Sequence, residues 1–216
     1  MSPAHPGAAA SPPPSGKLSF RLECVERGSV LHRIHDSRFD ATAYNPGLGN
    51  SRFAPFKIAG HSIPTAYAAT SLKCAAFETI FHDVEAAAAF KVVPLSELAR
   101  LSYSSFELNR DLNLAAFYSA DLMKFQLERH QLIDTPASSY GITQLWSPAV
   151  YLSDLKAEGM VWVSRRYDQE RALMLFGDRV TSAAITPISS VRITKDARTL
   201  EIVFELGQRA GIDIVG

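Results

Sequence analysis

The sequence predicts an α+β fold: a mixed sheet and several helices in a single domain. Segments with strand-like and helix-like apolar spacing follow one another without strict β-α-β alternation. The chain has 216 residues, of which 47% are hydrophobic, enough for one sizeable core. It contains neither an internal repeat nor a linker to a second domain, so one domain spanning residues 17–216 is expected.

The N-terminal residues have a low-complexity composition. Pro, Ala, Ser and Gly supply nearly all of residues 2–16. Such a segment buries too little apolar surface to offset its ordering entropy, so residues 1–16 are predicted to be a disordered tail. The segment lacks a basic region followed by a long apolar one, and no signal peptide is predicted.

The first half of the domain starts with two strands. Apolar and polar residues alternate from Leu18 to Cys24, and a turn then leads into a second strand at Ser29–His35. Residues 36–62, rich in polar residues, Gly and Pro, predict a long loop of the kind that often binds ligands. A strand at Ile63–Ala68 precedes a helix that Thr70 or Ser71 caps and that reaches about Ala87.

The second half continues the mixture of strands and helices. Strands are predicted at Phe90–Val93, Leu101–Leu108, Val191–Thr194 and Ile212–Val215, with a strand pair at Met160–Val163 and Ala172–Phe176. A helical turn is predicted at Ser96–Arg100, and helices at Leu114–Arg129, Ser139–Leu155 with a break near Pro148, and Thr199–Ala210.

Composition excludes several classes of protein. Basic and acidic residues number 22 each and the pI is about 7.0, so a broad, non-specific nucleic-acid surface is not expected. No apolar run approaches the roughly 18 residues of a membrane span. Two cysteines, Cys24 and Cys74, cannot build a disulfide framework, and they predict reduced thiols in a cytoplasmic protein.

Familiar catalytic and ligand-binding motifs are absent. The sequence has no dinucleotide-binding or phosphate-binding glycine loop, no H-E-x-x-H or C-x-x-C pair and no G-x-S-x-G elbow. Glu78 and His82 lie four residues apart on one predicted helix face, which allows a metal site. A hydrogen-bonding role for His82 near the helix end is favoured, and no metal is expected. Cys74 is interpreted as a small core residue rather than a nucleophile.

One carboxylate lies in an apolar setting. Glu78 is flanked by a helical stripe of Phe77, Ile80, Phe81 and Val84. A carboxylate beside such a stripe is unfavourable to bury unless it is paired or used in chemistry. Glu78 is therefore the leading candidate for a functional residue.

Four further candidates are scattered along the chain. Arg33 lies inside the apolar strand VLHRIH, Arg52 lies in the long loop, Tyr67 ends the third strand, and Ser164 follows the strand MVWV. Each has an ordinary structural explanation. Arg33 could be an ion-pair partner of Glu78, Tyr67 a core residue, and Ser164 a turn residue at a strand end.

Four segments together resemble the RES-domain family: LHRIH, YNPGLGNSRFAPF, IPTAYAATSLKCAAFETIFHDV and GMVWVSRRYDQERALMLFGDRV. The family is named for an Arg, a Glu and a Ser, which match Arg33, Glu78 and Ser164 in order and context. The resemblance covers roughly residues 29–180. One departure is Asn50-Ser51 before Arg52-Phe53, where a glycine is expected.

The resemblance implies a fold similar to that of ADP-ribosyltransferases and a role as the toxin of a bacterial toxin–antitoxin pair. It implies NAD as the substrate and a cognate antitoxin with a DNA-binding Xre-type domain that occludes the active site. The resemblance leaves open whether the toxin forms a homodimer within that complex. Two outcomes follow from family precedent. The enzyme destroys NAD by hydrolysis or phosphorolysis, or it transfers ADP-ribose to a protein. A non-catalytic binding module on the same scaffold is a third hypothesis, which the intact Arg, Tyr, Glu and Ser set disfavours.

The candidate residues suit the chemistry that the resemblance implies. Cleavage of the nicotinamide–ribose bond passes through an oxocarbenium-like transition state, and nicotinamide leaves as a neutral molecule. One carboxylate, assigned to Glu78, can therefore suffice to stabilise the developing charge. The planar guanidinium of Arg33 suits the pyrophosphate of NAD, with Arg52 as a second phosphate ligand. Tyr67 can stack on the nicotinamide ring.

Two assignments remain less defined. Ser164 either hydrogen-bonds nicotinamide or orients Glu78. His35 shares a strand face with Arg33 and is included in the substrate-binding set, with a hydrogen-bonding role rather than proton transfer.

Overall fold

A computed structural model of the chain describes residues 9–153 and 156–216. The strands are β1 (Leu22–Val25), β2 (Val30–Asp36), β3 (Lys57–Ile58), β4 (His61–Ser62), β5 (Thr65–Ala69), β6 (Val92–Pro94), β7 (Leu101–Leu108), β8 (Leu112–Ala116), β9 (Gly159–Val163), β10 (Arg171–Phe176), β11 (Ile185–Arg192) and β12 (Asp213–Val215). The α-helices are α1 (Leu72–Thr79), α2 (Leu95–Leu98), α3 (Ser119–Met123), α4 (Tyr140–Thr143), α5 (Trp146–Tyr151) and α6 (Ala197–Ala210). Short 3-10 helices lie at Arg129–Gln131, Ala137–Ser139, Ser182–Ala184 and Ile193–Lys195.

Eight strands form one mixed sheet in the order β1-β8-β9-β10-β5-β2-β7-β11. Strands β8 and β9 pair in parallel, and the other neighbours pair antiparallel. Two small sheets join β3 to β4 and β6 to β12. This architecture confirms the predicted α+β class.

The central strands of the sheet are buried on both faces. Along β10, Ala172, Met174 and Phe176 belong to one apolar cluster, and the alternate residues Leu173 and Leu175 belong to another. The first cluster also includes the buried sides of α1 and α6. The central strands are therefore held from both sides, which fixes the position of side chains at their ends.

Helix α1 begins as predicted but ends early. The Ser71 hydroxyl accepts a hydrogen bond from the backbone N–H of Cys74 at 3.1 Å and caps the helix. The predicted helix reaches Ala87, whereas α1 ends at Thr79. Phe81 turns into the core, where it is 1% exposed, and its N–H bonds the carbonyl of Ala76 five residues earlier, which breaks the regular helical ladder.

One predicted helix is only partly confirmed. The prediction places a helix at Leu114–Arg129, but Leu112–Ala116 form β8, between β1 and β9, and the helix α3 is limited to Ser119–Met123. Leu112, Leu114 and Ala116 face one apolar cluster and Ala115 faces the other, so the strand has buried residues on both sides and only Asn113 is exposed. A strand buried on both faces loses its polar alternation and resembles a helix in sequence.

The boundaries of other predicted elements lie closer to those in the structure. The predicted helix 139–155 is two helices, α4 and α5, separated before Trp146 rather than near Pro148, and its last two residues lie outside the described part of the chain. The predicted long loop contains the β3–β4 hairpin. The strand at Leu101–Leu108 and the antiparallel pair of β9 and β10 are confirmed.

The predicted disordered tail needs a correction. Residues 1–8 lie outside the described residues. Further along, Ser11 accepts a hydrogen bond from the indole N–H of Trp146 at 2.8 Å and donates its own N–H to the carbonyl of Gln131 at 3.1 Å. Ala10 is buried as well. Ala10 and Ser11 are therefore ordered, since this segment satisfies the polar group of a buried tryptophan, and the prediction for residues 1–8 falls outside the described part of the chain.

No helix within residues 9–153 and 156–216 has the length and apolar character needed to cross a membrane. Cys24 is exposed and Cys74 is buried, and both are free thiols.

Candidate active site

A cleft of about 370 Å³ opens between β2, β5, α1 and the long loop. Four of the residues proposed from the sequence line it together: Arg33, Arg52, Tyr67 and Glu78. They come from segments far apart in the chain, so the fold assembles them. A cleft of this size is in the range of small-molecule sites.

Ser164 holds the carboxylate of Glu78. The Ser164 hydroxyl donates to Glu78 Oε1 at 2.6 Å, and the backbone N–H of Arg165 donates to the same oxygen at 3.2 Å. Ser164 is fully buried, and its oxygen accepts the N–H groups of Arg166 at 3.3 Å and Tyr167 at 3.1 Å. Within the described residues, Glu78 Oε2 has no hydrogen-bond partner, so one carboxylate oxygen is fixed and the other is left for a ligand.

Arg33 brings a buried positive charge to the cleft. Its Nη1 donates to the carbonyls of Ala41 at 3.2 Å and Ala43 at 2.8 Å, and its Nε has no partner among the described residues. Burial lowers the pKa of Arg33 to about 10, which leaves it charged at neutral pH. Arg33 forms no ion pair with any residue that the structure describes, so its interpretation as an ion-pair partner of Glu78 is wrong.

Arg52 connects the long loop to the segment before α4. Its Nη1 donates to the Leu132 carbonyl at 3.2 Å, the Thr135 carbonyl at 3.1 Å and the Thr135 hydroxyl at 2.5 Å. The guanidinium carbon lies 5.4 Å from the ring centre of Tyr140, within cation–π range. Burial lowers the pKa of Arg52. These bonds fix the charge beside the cleft without neutralising it.

The loop also fixes Tyr67. The Tyr67 hydroxyl accepts hydrogen bonds from the Ser51 hydroxyl and the Phe53 backbone N–H, both at 3.1 Å. Its ring, partly exposed in the cleft, packs edge-on against Trp162 with ring centres 6.1 Å apart. Burial raises the pKa of Tyr67 to about 12. Ser51 is one of the two residues before Arg52-Phe53, where the resemblance led us to expect a glycine, and its hydroxyl orients the tyrosine.

His35 lies apart from the Glu78 cleft. Its Nε2 hydrogen-bonds the Ser104 hydroxyl at 2.8 Å, and its Nδ1 hydrogen-bonds the Asp36 carbonyl at 3.0 Å. It lines a neighbouring pocket of about 180 Å³ that shares Arg33 with the cleft. Burial, followed by the charge of Arg33, lowers the pKa of His35. Its place in the substrate-binding set stays a prediction.

The sequence does not single out Tyr140, and for His82 it allows a metal site with Glu78 while favouring a hydrogen-bonding role. Both line the cleft. The spacing of His82 from Glu78 was a usable signal, whereas nothing around Tyr140 distinguishes it from a core residue.

The described residues contain no group of three or more His, Cys, Asp and Glu side chains that could hold a metal ion. Cys74 is fully buried, and burial, with the nearby charge of Glu78, raises the pKa of its thiol to about 12. A thiol of this kind is a poor nucleophile at neutral pH.

Comparison with known proteins identifies the family. Residues 30–196 match the family model of the RES domain, and this span includes Arg33, Glu78 and Ser164. The chain belongs to the RES-domain family. No curated protein sequence matches the chain.

A solved structure shares the fold of this RES-domain chain. A chain of the crystal structure of the M. tuberculosis MbcT–MbcA toxin–antitoxin complex superposes with a TM-score of 0.62 at 15% sequence identity. The likeness covers 85% of this chain and 91% of that chain. It extends the fold assignment beyond the residues of the family match.

Proposed function

We propose that this RES-domain protein is a toxin that cleaves the nicotinamide–ribose bond of NAD. The observation that carries the proposal is the arrangement of Glu78, whose Oε1 is held by Ser164 and the Arg165 N–H while Oε2 is unpartnered at the cleft. A carboxylate fixed in this way is ready to stabilise positive charge that develops in a transition state.

The chemistry needs little more than this carboxylate. Nicotinamide in NAD is cationic and takes the bonding electron pair as it leaves, so no general acid is required. The ribose carbon gains oxocarbenium character, and Glu78 Oε2 can bond the ribose hydroxyls beside it. Such an electrostatic contact strengthens as the charge develops, which lowers the barrier rather than only improving binding.

Two guanidinium groups suit the phosphates of NAD. Arg33 and Arg52 are both buried at the cleft, and within residues 9–153 and 156–216 their hydrogen bonds go to neutral groups rather than to carboxylates. A buried charge without a counter-ion is unfavourable until an anion arrives. The NAD pyrophosphate supplies that anion, and NAD acts as a substrate with no metal required.

Tyr67 provides a face for the nicotinamide ring. Its hydroxyl is held by the loop, so the ring is fixed before substrate arrives. Preorganisation of this kind reduces the entropy lost on binding.

The test is nicotinamide release by the purified protein. NAD is incubated with the wild type in buffer, with added phosphate, and with bacterial lysate proteins, and nicotinamide and the ADP-ribose products are quantified. We expect nicotinamide together with ADP-ribose or its 1-phosphate. A labelled protein band from radiolabelled NAD, with little free ADP-ribose, would instead indicate protein ADP-ribosylation.

Glu78→Gln is the decisive variant. The change is nearly isosteric and should reduce the rate roughly 10²–10³-fold, as loss of one transition-state contact does. Glu85→Gln, the same change at an exposed residue outside the cleft, is the matched control. Absence of nicotinamide release by the folded wild type, or equal activity of the two variants, would contradict the proposal.

An enzyme that consumes NAD harms its host, so we infer a partner that blocks it. The structurally similar MbcT–MbcA structure is a toxin–antitoxin complex. For this chain we propose an Xre-type antitoxin that occludes the cleft, with any DNA contact made by the antitoxin. Expression of the chain alone should stop growth and lower cellular NAD, and co-expression with the product of the neighbouring gene should restore both. Harmless expression of the soluble chain alone would favour a binding module.

A further inference from the structure

Three side chains form a hydrogen-bonded series beside Glu78. The Tyr140 hydroxyl lies 3.1 Å from His82 Nε2, and His82 Nδ1 lies 2.7 Å from Asp83 Oδ1. All three residues line the Glu78 cleft. The proposed roles of Arg33, Arg52, Tyr67 and Glu78 make no use of this series.

The bond to Asp83 determines the tautomer of His82. A carboxylate only accepts hydrogen bonds, so Nδ1 must carry a proton. Neutral His82 therefore has a free electron pair on Nε2, and the Tyr140 hydroxyl donates to it. This leaves the lone pairs of the Tyr140 oxygen as acceptors for another donor. Burial raises the pKa of Tyr140, so the hydroxyl holds its proton at neutral pH.

We propose that Tyr140 and His82 relay a proton from an attacking water, so that this cleft hydrolyses NAD; the inference rests on the proposed function. The glycosidic C–N bond breaks and its electron pair leaves with nicotinamide. The water oxygen bonds to the ribose carbon and loses a proton to the Tyr140 oxygen as the Tyr140 proton passes to His82 Nε2. His82 then returns the proton to bulk water, so each NAD yields nicotinamide, ADP-ribose and one proton.

The surroundings suit a transient positive charge on His82 and negative charge on Tyr140. The Asp83 carboxylate accepts from Nδ1 and stabilises the imidazolium. The Arg52 guanidinium carbon lies 5.4 Å from the Tyr140 ring centre and stabilises negative charge on the phenol. Oε1 of Glu78 is occupied and Oε2 is assigned to the ribose. Because the relay accepts the water proton, Glu78 does not have to act as the base.

The test compares Tyr140→Phe and His82→Gln with the wild type. Tyr140→Phe keeps the ring that faces Arg52 and removes only the hydroxyl. His82→Gln removes the next proton acceptor of the relay and so tests it at a second residue. Both should lower kcat for nicotinamide release roughly 100-fold, the lower end of general-base effects, with little change in KM. Azide is a nucleophile without a proton to lose, so it should restore nicotinamide release in both variants and give azido-ADP-ribose.

Tyr103→Phe is the matched control. Tyr103 also hydrogen-bonds a histidine, His32 Nδ1 at 2.8 Å, but does not line the cleft. It should retain wild-type kcat. If the wild type cleaves NAD while both cleft variants keep full activity, the relay is wrong and the proposed function stands. Loss of activity without rescue by azide, or ADP-ribose 1-phosphate as the sole product in phosphate buffer, would also overturn the relay. A folded but inactive wild type would overturn the proposed function itself.

Discussion

The Ser164 hydroxyl donates a hydrogen bond of 2.6 Å to Glu78 Oε1 across 86 residues of sequence. Sequence reasoning left two roles for Ser164, contact with nicotinamide or orientation of Glu78. Ser164 is fully buried, and its oxygen also accepts two backbone N–H groups from the turn that follows β9. The geometry favours orientation, because the hydroxyl is already committed to the carboxylate.

Ser164→Ala should therefore lower kcat and leave KM for NAD nearly unchanged. Glu78 keeps its charge but loses its strongest orienting bond, and two N–H groups lose their acceptor, which costs about 1–3 kcal/mol of stability. Steady-state kinetics and chemical denaturation measure both effects. Ser105 is a buried residue of β7 whose hydroxyl hydrogen-bonds that of Ser189 on β11 at 2.8 Å. Ser105→Ala removes this hydroxyl and should affect stability alone. A raised KM with normal kcat in Ser164→Ala would instead indicate substrate contact.

Gly159→Ala should be strongly destabilising. A Cβ at this position would lie 2.1 Å from the Met174 carbonyl oxygen, a backbone atom of the neighbouring strand β10 that cannot move aside. We expect a loss of about 3 kcal/mol in the free energy of unfolding, the upper end for overpacking. Gly141→Ala is the control, since its Cβ meets nothing within 4 Å and the residue is helical. It should gain about 0.5 kcal/mol. Similar midpoints of unfolding for both variants would contradict the close approach of β9 and β10.

The fold could be predicted where local signals were unambiguous. The strand at Leu101–Leu108 alternates between apolar and polar residues except at Ser104-Ser105 and is bounded by polar residues, and the structure gives the same limits. Leu112–Ala116 could not be predicted, because burial on both faces removes the alternation that identifies a strand. The early end of α1 likewise depends on the burial of Phe81 in the core, which the neighbouring residues in the sequence do not predict.

The residues of the candidate site could be proposed from the sequence, but the hydrogen bonds between them could not. Family resemblance and residue chemistry selected Arg33, Glu78 and Ser164, and the structure brings them to one region. The bonds of Arg33 to two loop carbonyls and the contact of Tyr140 with His82 depend on how distant segments pack. Such contacts have no signature in a single sequence.

Stability should fall as the pH drops below about 6.5, the ordinary pKa of histidine. Burial lowers the pKa of both His32 and His35 in the folded protein. Between the folded and ordinary values the unfolded chain binds more protons, so acid favours unfolding and the contribution is fully regained above pH 6.5. Hydrogen bonds from Arg38 lower the pKa of Asp36 to about 2, so Asp36 contributes to the pH dependence of stability only at lower pH.

His35→Gln tests this dependence. Urea midpoints at about pH 7.5 and about pH 5.5 should differ less in the variant than in the wild type, because one of the two groups responsible is gone. The variant will be less stable at both pH values, since it loses hydrogen bonds to Ser104 and to the Asp36 carbonyl. The difference between the two midpoints is therefore the diagnostic quantity. An unchanged difference would show that His35 titrates normally in the folded protein.

Arg33→Lys should impair NAD cleavage mainly by weakening substrate binding. Lysine keeps the charge but replaces a planar fork with a single ammonium group, which can bond the Ala41 and Ala43 carbonyls or the phosphates but cannot match both sets at once. We expect KM for NAD to rise roughly tenfold, the equivalent of about 1.4 kcal/mol. Initial rates over a range of NAD concentrations separate this effect from one on kcat.

Arg38→Lys provides the matched control for that measurement. Arg38 follows the same strand, but its side chain is 78% exposed and pairs with Asp36 at 2.7 Å. An exposed ion pair contributes about 0–1 kcal/mol, so the control should retain wild-type kinetics. Equal KM values for the two variants would mean that the buried guanidinium of Arg33 serves the fold rather than the substrate. A raised KM confined to Arg33→Lys would place the NAD phosphates at the unpaired charge beside Glu78.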